Sequence, residues 1–168
     1  VVSPNPIVFL GVGNCLIGHI PERDCMALAL LHSAGVNQMY GYTAVTLYGY
    51  MGWGIRSLLF DFPGRYTLAE CFFLANQALI NRLQTEYPDV AALEWDDYSN
   101  EGIEALGQRV PDQDAAGLLW DRDAVAFYGD PAWDVRALPG PNPWDYTLTE
   151  QDGEYTFRLT TRTEGEWH

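Results

Sequence analysis

The sequence predicts an α/β domain, an open and mostly parallel sheet flanked by helices in three layers, followed by a C-terminal β-hairpin. Three observations predict it. Residues 7–10 (IVFL) form an unbroken apolar run, the pattern of a strand buried on both faces of a sheet. A helical pattern and a second strand pattern follow before residue 43, a βαβ order that makes the two strands parallel with a right-handed crossover. Further on, Tyr146 and Leu148, then Tyr155, Phe157 and Leu159, alternate with polar residues on either side of Asp152-Gly153, the signature of a hairpin around a tight turn.

The elements follow in order. After the first strand, Pro21 suits a first helical position and Glu22 and Asp24 favour the positive end of the helix dipole. Cys25, Met26, Leu28, Ala29, Leu31 and His32 continue this helix, and Gly35 is a left-handed cap. The second strand spans 36–43. Residues 56–61 read as a short buried segment closed by Pro63-Gly64. Thr67 and Glu70 form a capping box, and Leu68, Cys71, Phe72, Ala75, Leu79 and Leu83 recur at helical spacing up to about residue 86, with Pro88 beyond. A weaker helix covers 99–108. Residues 117–120 and 124–128 read as strands, and Gly129-Asp130-Pro131 as a turn. The domain limits are 1–138 for the α/β part, 139–145 for a linker built on PGPNP, and 146–168 for the hairpin, which either docks on the domain or starts a following β module.

Composition narrows the function. At 168 residues with 48% apolar residues, the chain is one domain or most of one. No apolar run approaches a membrane span, and no signal peptide is visible. The chain does not begin with Met and reads as a processed product or a fragment. The net charge is −14, and all nine basic residues are Arg, a balance that repels nucleic acid. Three cysteines without a C-x-x-C pair argue against a zinc site, and no metal ligand set is expected. The acidic cluster Glu94, Asp96, Asp97 lacks the alternation of a calcium loop and reads as a solvated face; no cofactor is expected, a structural calcium being the alternative.

The candidate chemistry lies where the first strand ends. Cys15 stands just past it, between Gly13 and Gly18, where open α/β sheets place their ligands. The flanking glycines let the backbone turn sharply and approach a substrate, so Cys15 and Gly13 are the candidate catalytic positions. The alternative for Cys15 is a buried structural thiol, the role expected of Cys25 and Cys71. Residues 43–54 mix Tyr48, Tyr50 and Trp53 with glycines at the carboxyl end of the second strand. A pocket wall is expected there from Tyr42, Thr43, Thr46, Tyr48 and Trp53.

Four features together resemble the second half of a caspase-like catalytic domain, and within that group the gingipain-type cysteine peptidases. They are the apolar strand ending in Gly13-Asn14-Cys15-Leu16-Ile17-Gly18, the helix at 24–33, the strand at 39–43 with its pocket-bearing loop, and Phe127-Tyr128-Gly129-Asp130-Pro131-Ala132 late in the domain. The likeness covers residues 1–138. It implies a caspase-like three-layer fold and a cysteine endopeptidase acting on peptide or protein substrates, secreted or at the cell surface. Cys15 would attack the peptide carbonyl to form a thioester, with its own N–H among the oxyanion donors, each worth about 3–4 kcal/mol. The sequence departs from the family at the base, a His followed by Gly some 30 or more residues before the nucleophile. The histidines here are His19, His32 and His168. The resemblance therefore implies that an upstream half of the same domain, covalent or cleaved and associated, supplies the His as general base. The other readings are a catalytically inactive caspase-like interaction domain and a small-molecule-binding open α/β domain. For the latter, the GVGNCLIG stretch lacks the third glycine of a dinucleotide loop.

Overall fold

In the computed structural model, β1 (Ile7–Leu10) and β2 (Val36–Tyr42) run parallel, with Leu10 opposite Tyr40 and α1 (Met26–Ser33) between them in sequence. The described residues are 7–11, 15–45, 49–50, 52–97, 99–138 and 144–161. The third strand of this sheet, β3 (Val125–Gly129), pairs antiparallel with β2, Phe127 opposite Tyr40. The order β1-β2-β3 makes a small mixed sheet, not a mostly parallel one. β1 lies at its edge among the described residues, so its four apolar side chains are half-buried rather than enclosed. β2 is the central strand, and only Asn37 in it is not buried.

Helices cover the sheet according to its pleat. Tyr40, Val8, Leu10, Val125 and Phe127 meet Ile55 and Leu59 of α2 (Ile55–Asp61) and Leu68, Cys71 and Ala75 of α3 (Leu68–Glu86). Tyr42 meets Ile103 and Leu106 of α5 (Asn100–Arg109), and Ala116, Leu119 and Trp120 of α6 (Gln113–Ala124). The short α4 (Pro88–Ala91) follows α3 directly. The other face holds Met39, fully buried, and Gly41, and α1 packs against β2.

Three further expectations need correction. The first helix begins at Met26, not near Pro21, because residues 19–24 are all exposed and offer no apolar burial to offset nucleation. Residues 117–120 are helix, not strand. Asp112 caps α6 by accepting from the Asp114 and Ala115 amides, and the run from Ala115 to Asp121 is buried on every side, which erases the helical period from the sequence. Residues 56–61 belong to a helix entered through Gly54 in the left-handed region. The Thr67–Glu70 capping box forms in both directions, with Glu70 N–H to Thr67 Oγ1 at 3.1 Å and Thr67 N–H to Glu70 Oε2 at 2.7 Å.

The chain divides into two compact units, Val1–Ala137 and Leu138–His168. The second contains β4 (Trp144–Gln151) and β5 (Glu154–Thr161), antiparallel around Asp152 and Gly153, both at positive φ as a type I′ turn requires.

Leu79 and Leu83 of α3 pack with Leu118 of α6, and Leu79 is 2% exposed. Leu79→Ala is expected to cost about 2–5 kcal/mol of stability by chemical denaturation; a loss below about 0.5 kcal/mol would contradict this helix–helix contact.

Candidate functional site at the carboxyl end of the central strand

The Cys15 turn is held to β2 by its backbone. The Gly11 amide donates to Tyr40 O at 3.0 Å, Leu16 to Ala44 O at 3.2 Å and Gly18 to Tyr42 O at 2.8 Å. The Tyr128 hydroxyl donates to Gly18 O. Approach this close requires glycine at Gly11, where a Cβ would sit 2.5 Å from Tyr40 O. Leu16 takes a left-handed φ of 60°, an uncommon conformation for a bulky residue and a local strain that the surrounding bonds sustain. Cys15 is exposed and is not in a disulfide. It lies beside Thr43 and Ala44 at the shared carboxyl end of two parallel strands, as the βαβ reading requires. The Leu16 amide is engaged by Ala44 O, so this turn offers no oxyanion donor from Leu16.

The aromatic loop that follows β2 is fixed from inside by α6. Asp121 is 1% exposed, and each carboxylate oxygen accepts two hydrogen bonds. Oδ1 receives the Tyr42 hydroxyl and the Tyr50 amide at 2.9 Å; Oδ2 receives the amides of Gly52 at 3.1 Å and Trp53 at 2.8 Å. Burial pushes this carboxyl up, and the four donors pull it back. Seven residues earlier on the same helix face, Asp114 accepts from the Tyr50 hydroxyl, the Tyr87 hydroxyl at 3.0 Å and Arg82 Nη2. Burial, then the bond to Asp114, raises the Tyr50 phenol to about 12. The Arg82 guanidinium also lies over the Trp53 ring, 6.0 Å from its centre.

The sequence-predicted residues fall in different places. Tyr42 is 1% exposed, with its hydroxyl given to Asp121, so it belongs to the core and not to an open pocket wall. Thr43 is half-buried and spends its amide and hydroxyl on Ala124 O, at 2.8 and 3.1 Å. The Trp53 ring packs toward Leu79, Leu83 and Leu118. Gly13, Thr46, Tyr48 and His168 lie outside the described residues. Tyr50 is 40% exposed and faces outward. His19 is exposed in the Cys15 turn, and His32 is exposed at the end of α1. Asp121 and Asp114 were not singled out from the sequence. The available signal was an Asp directly after Leu118-Leu119-Trp120 with another acid seven residues before it.

A cavity of about 610 Å³ lies along α1, lined by Arg23, Cys25, Met26 and His32 among others. Cys25 and His32 are separated there by two helical turns, about 10 Å, too far for a thiol–imidazole pair. Cys71 is buried, and burial pushes its thiol up to about 11, which makes it inert at neutral pH. Among the described residues no cluster of three or more His, Cys, Asp or Glu could hold a metal ion, and no helix is long and apolar enough to cross a membrane. Compared with family models, curated proteins and solved structures, the chain matches none.

Asp121→Asn would turn an amide N–H₂ toward two of the four donors. It is expected to cost about 2–6 kcal/mol, since each of the two orphaned donors costs about 1–3, and to speed amide exchange at Gly52 and Trp53. Unchanged stability and exchange would contradict the role given to this carboxylate. Asp114 differs in sign. The Tyr50 hydroxyl, then the Tyr87 hydroxyl and Arg82, hold its carboxyl below the usual aspartate value. The stability it contributes is therefore fully present above that pH and lost as pH falls through its depressed folded value. The stability difference between wild type and Asp114→Asn should be constant at neutral pH and shrink in acid; a difference that grows in acid would contradict it.

Proposed function

We propose that this chain is the cysteine-bearing half of a cysteine-type endopeptidase with a caspase-like fold. Cys15 is the nucleophile. Its sulfur attacks the peptide carbonyl, the amine leaves with a proton, and water hydrolyses the thioester. The general base is a His from an upstream segment of the same domain, whose strand pairs along β1 on the side away from β2. The observation that carries the reading is the exposed Cys15 on a turn pinned to the carboxyl end of β2. Two features support it. An edge strand with four consecutive apolar residues is a template for a further strand. The aromatic loop fixed by Asp121 begins at the same strand end, where a peptide would be gripped.

The test is peptide hydrolysis by the whole protein. Cys15→Ala should abolish it, and Cys25→Ala and Cys71→Ala should leave it within about threefold of wild type, because only a thiolate held at the strand end attacks. Hydrolysis unchanged in Cys15→Ala would remove the peptidase reading. Hydrolysis absent from the wild-type protein would favour the inactive caspase-like domain.

A further inference from the structure

The hairpin of β4 and β5 separates its side chains cleanly. One face carries Tyr146, Leu148, Tyr155, Phe157 and Leu159, each between 55% and 68% exposed. The other carries Asp145, Thr147, Thr149, Thr156, Arg158 and Thr160. A two-stranded hairpin alone is marginal in water and needs a covered apolar face to persist. The apolar face has a single charged member, Glu150, next to the turn.

We propose that this face is a dimerisation surface and that its occupant is the same face of a second copy. The register supports the choice. Tyr146 pairs with Leu159 and Leu148 with Phe157, so the two rings lie on one diagonal and the two leucines on the other. The rings are stacked across that diagonal, 6.0 Å between centres. A two-fold axis in the plane of the face, along or across the strands, sets each of these rings on a leucine of the other copy. The pattern is self-complementary, which an isologous contact requires. The exposed area of the five side chains is roughly 600 Å² per copy, taking aromatic side chains at about 200 Å² each. A pair buries roughly 1,200 Å², the lower limit for a stable interface. Charge fits as well: at −14 per chain two copies repel, and a contact through a nearly uncharged face adds little to that repulsion.

Sedimentation velocity of the 168-residue chain over a concentration series tests this. The expected mass rises from one chain to two, and added salt strengthens the association by screening the repulsion. Phe157→Glu should weaken dimerisation at least about tenfold, and Thr156→Glu on the opposite face should leave it unchanged. Hydroxyl-radical footprinting of the unmodified protein keeps the test independent of hairpin folding. Protection of Tyr146, Tyr155 and Phe157 should grow with concentration in step with the mass. A monomer at all concentrations, a dimer unaffected by Phe157→Glu, or protection already complete in the monomer would each overturn the proposal, the last by showing that the chain covers the face itself.

Discussion

The buried Asp121 carboxylate is the constraint on which the carboxyl end of the sheet depends. Placing a carboxylate at 1% exposure is costly unless its lone pairs are filled, and here four donors fill them. Three of the donors are backbone amides of one loop, and the fourth is the hydroxyl that ends β2. One side chain of α6 therefore fixes where the sheet stops and how the aromatic loop leaves it. Crowding at Gly49 follows from the same arrangement, because a Cβ there would come within 2.7 Å of Asp121 Oδ1. The alternative wiring, loop amides facing water, would leave the loop without a fixed course.

β2 joins this carboxylate to the Cys15 turn. The carbonyls of Tyr40 and Tyr42 accept from Gly11 and Gly18, and the Tyr42 side chain reaches Asp121 on the face that α6 covers. The two candidate parts of a site, thiol and loop, thus share one rigid support. That is the geometry a nucleophile requires if it is to meet a substrate without moving far. The strained φ of Leu16 is sustained by the same ladder of contacts.

Much of this was legible in the sequence where a local signal coincides with the tertiary outcome. The parallel β1–β2 pair, the capping box at Thr67 and the Asp152-Gly153 turn each have a short-range cause. What the sequence concealed has a long-range one. α6 lies between the sheet and other helices, so its apolar residues lose their period and residues 117–120 mimic a strand. The antiparallel β3 is set by the path of α6, not by any residue within the strand. Tyr42 read as a pocket residue because its position in sequence is right; its partner, Asp121, is 79 residues away. Nothing local sets Asp121 apart until α6 is known to be a helix.

The central claim is that Cys15 is a nucleophile presented by the carboxyl end of the sheet. Labelling of the whole protein with an electrophilic peptide, read by mass spectrometry, tests it most directly. The account predicts one adduct, on Cys15, forming far faster than on Cys25, with Cys71 unlabelled. Labelling of Cys15 no faster than of Cys25 would contradict it.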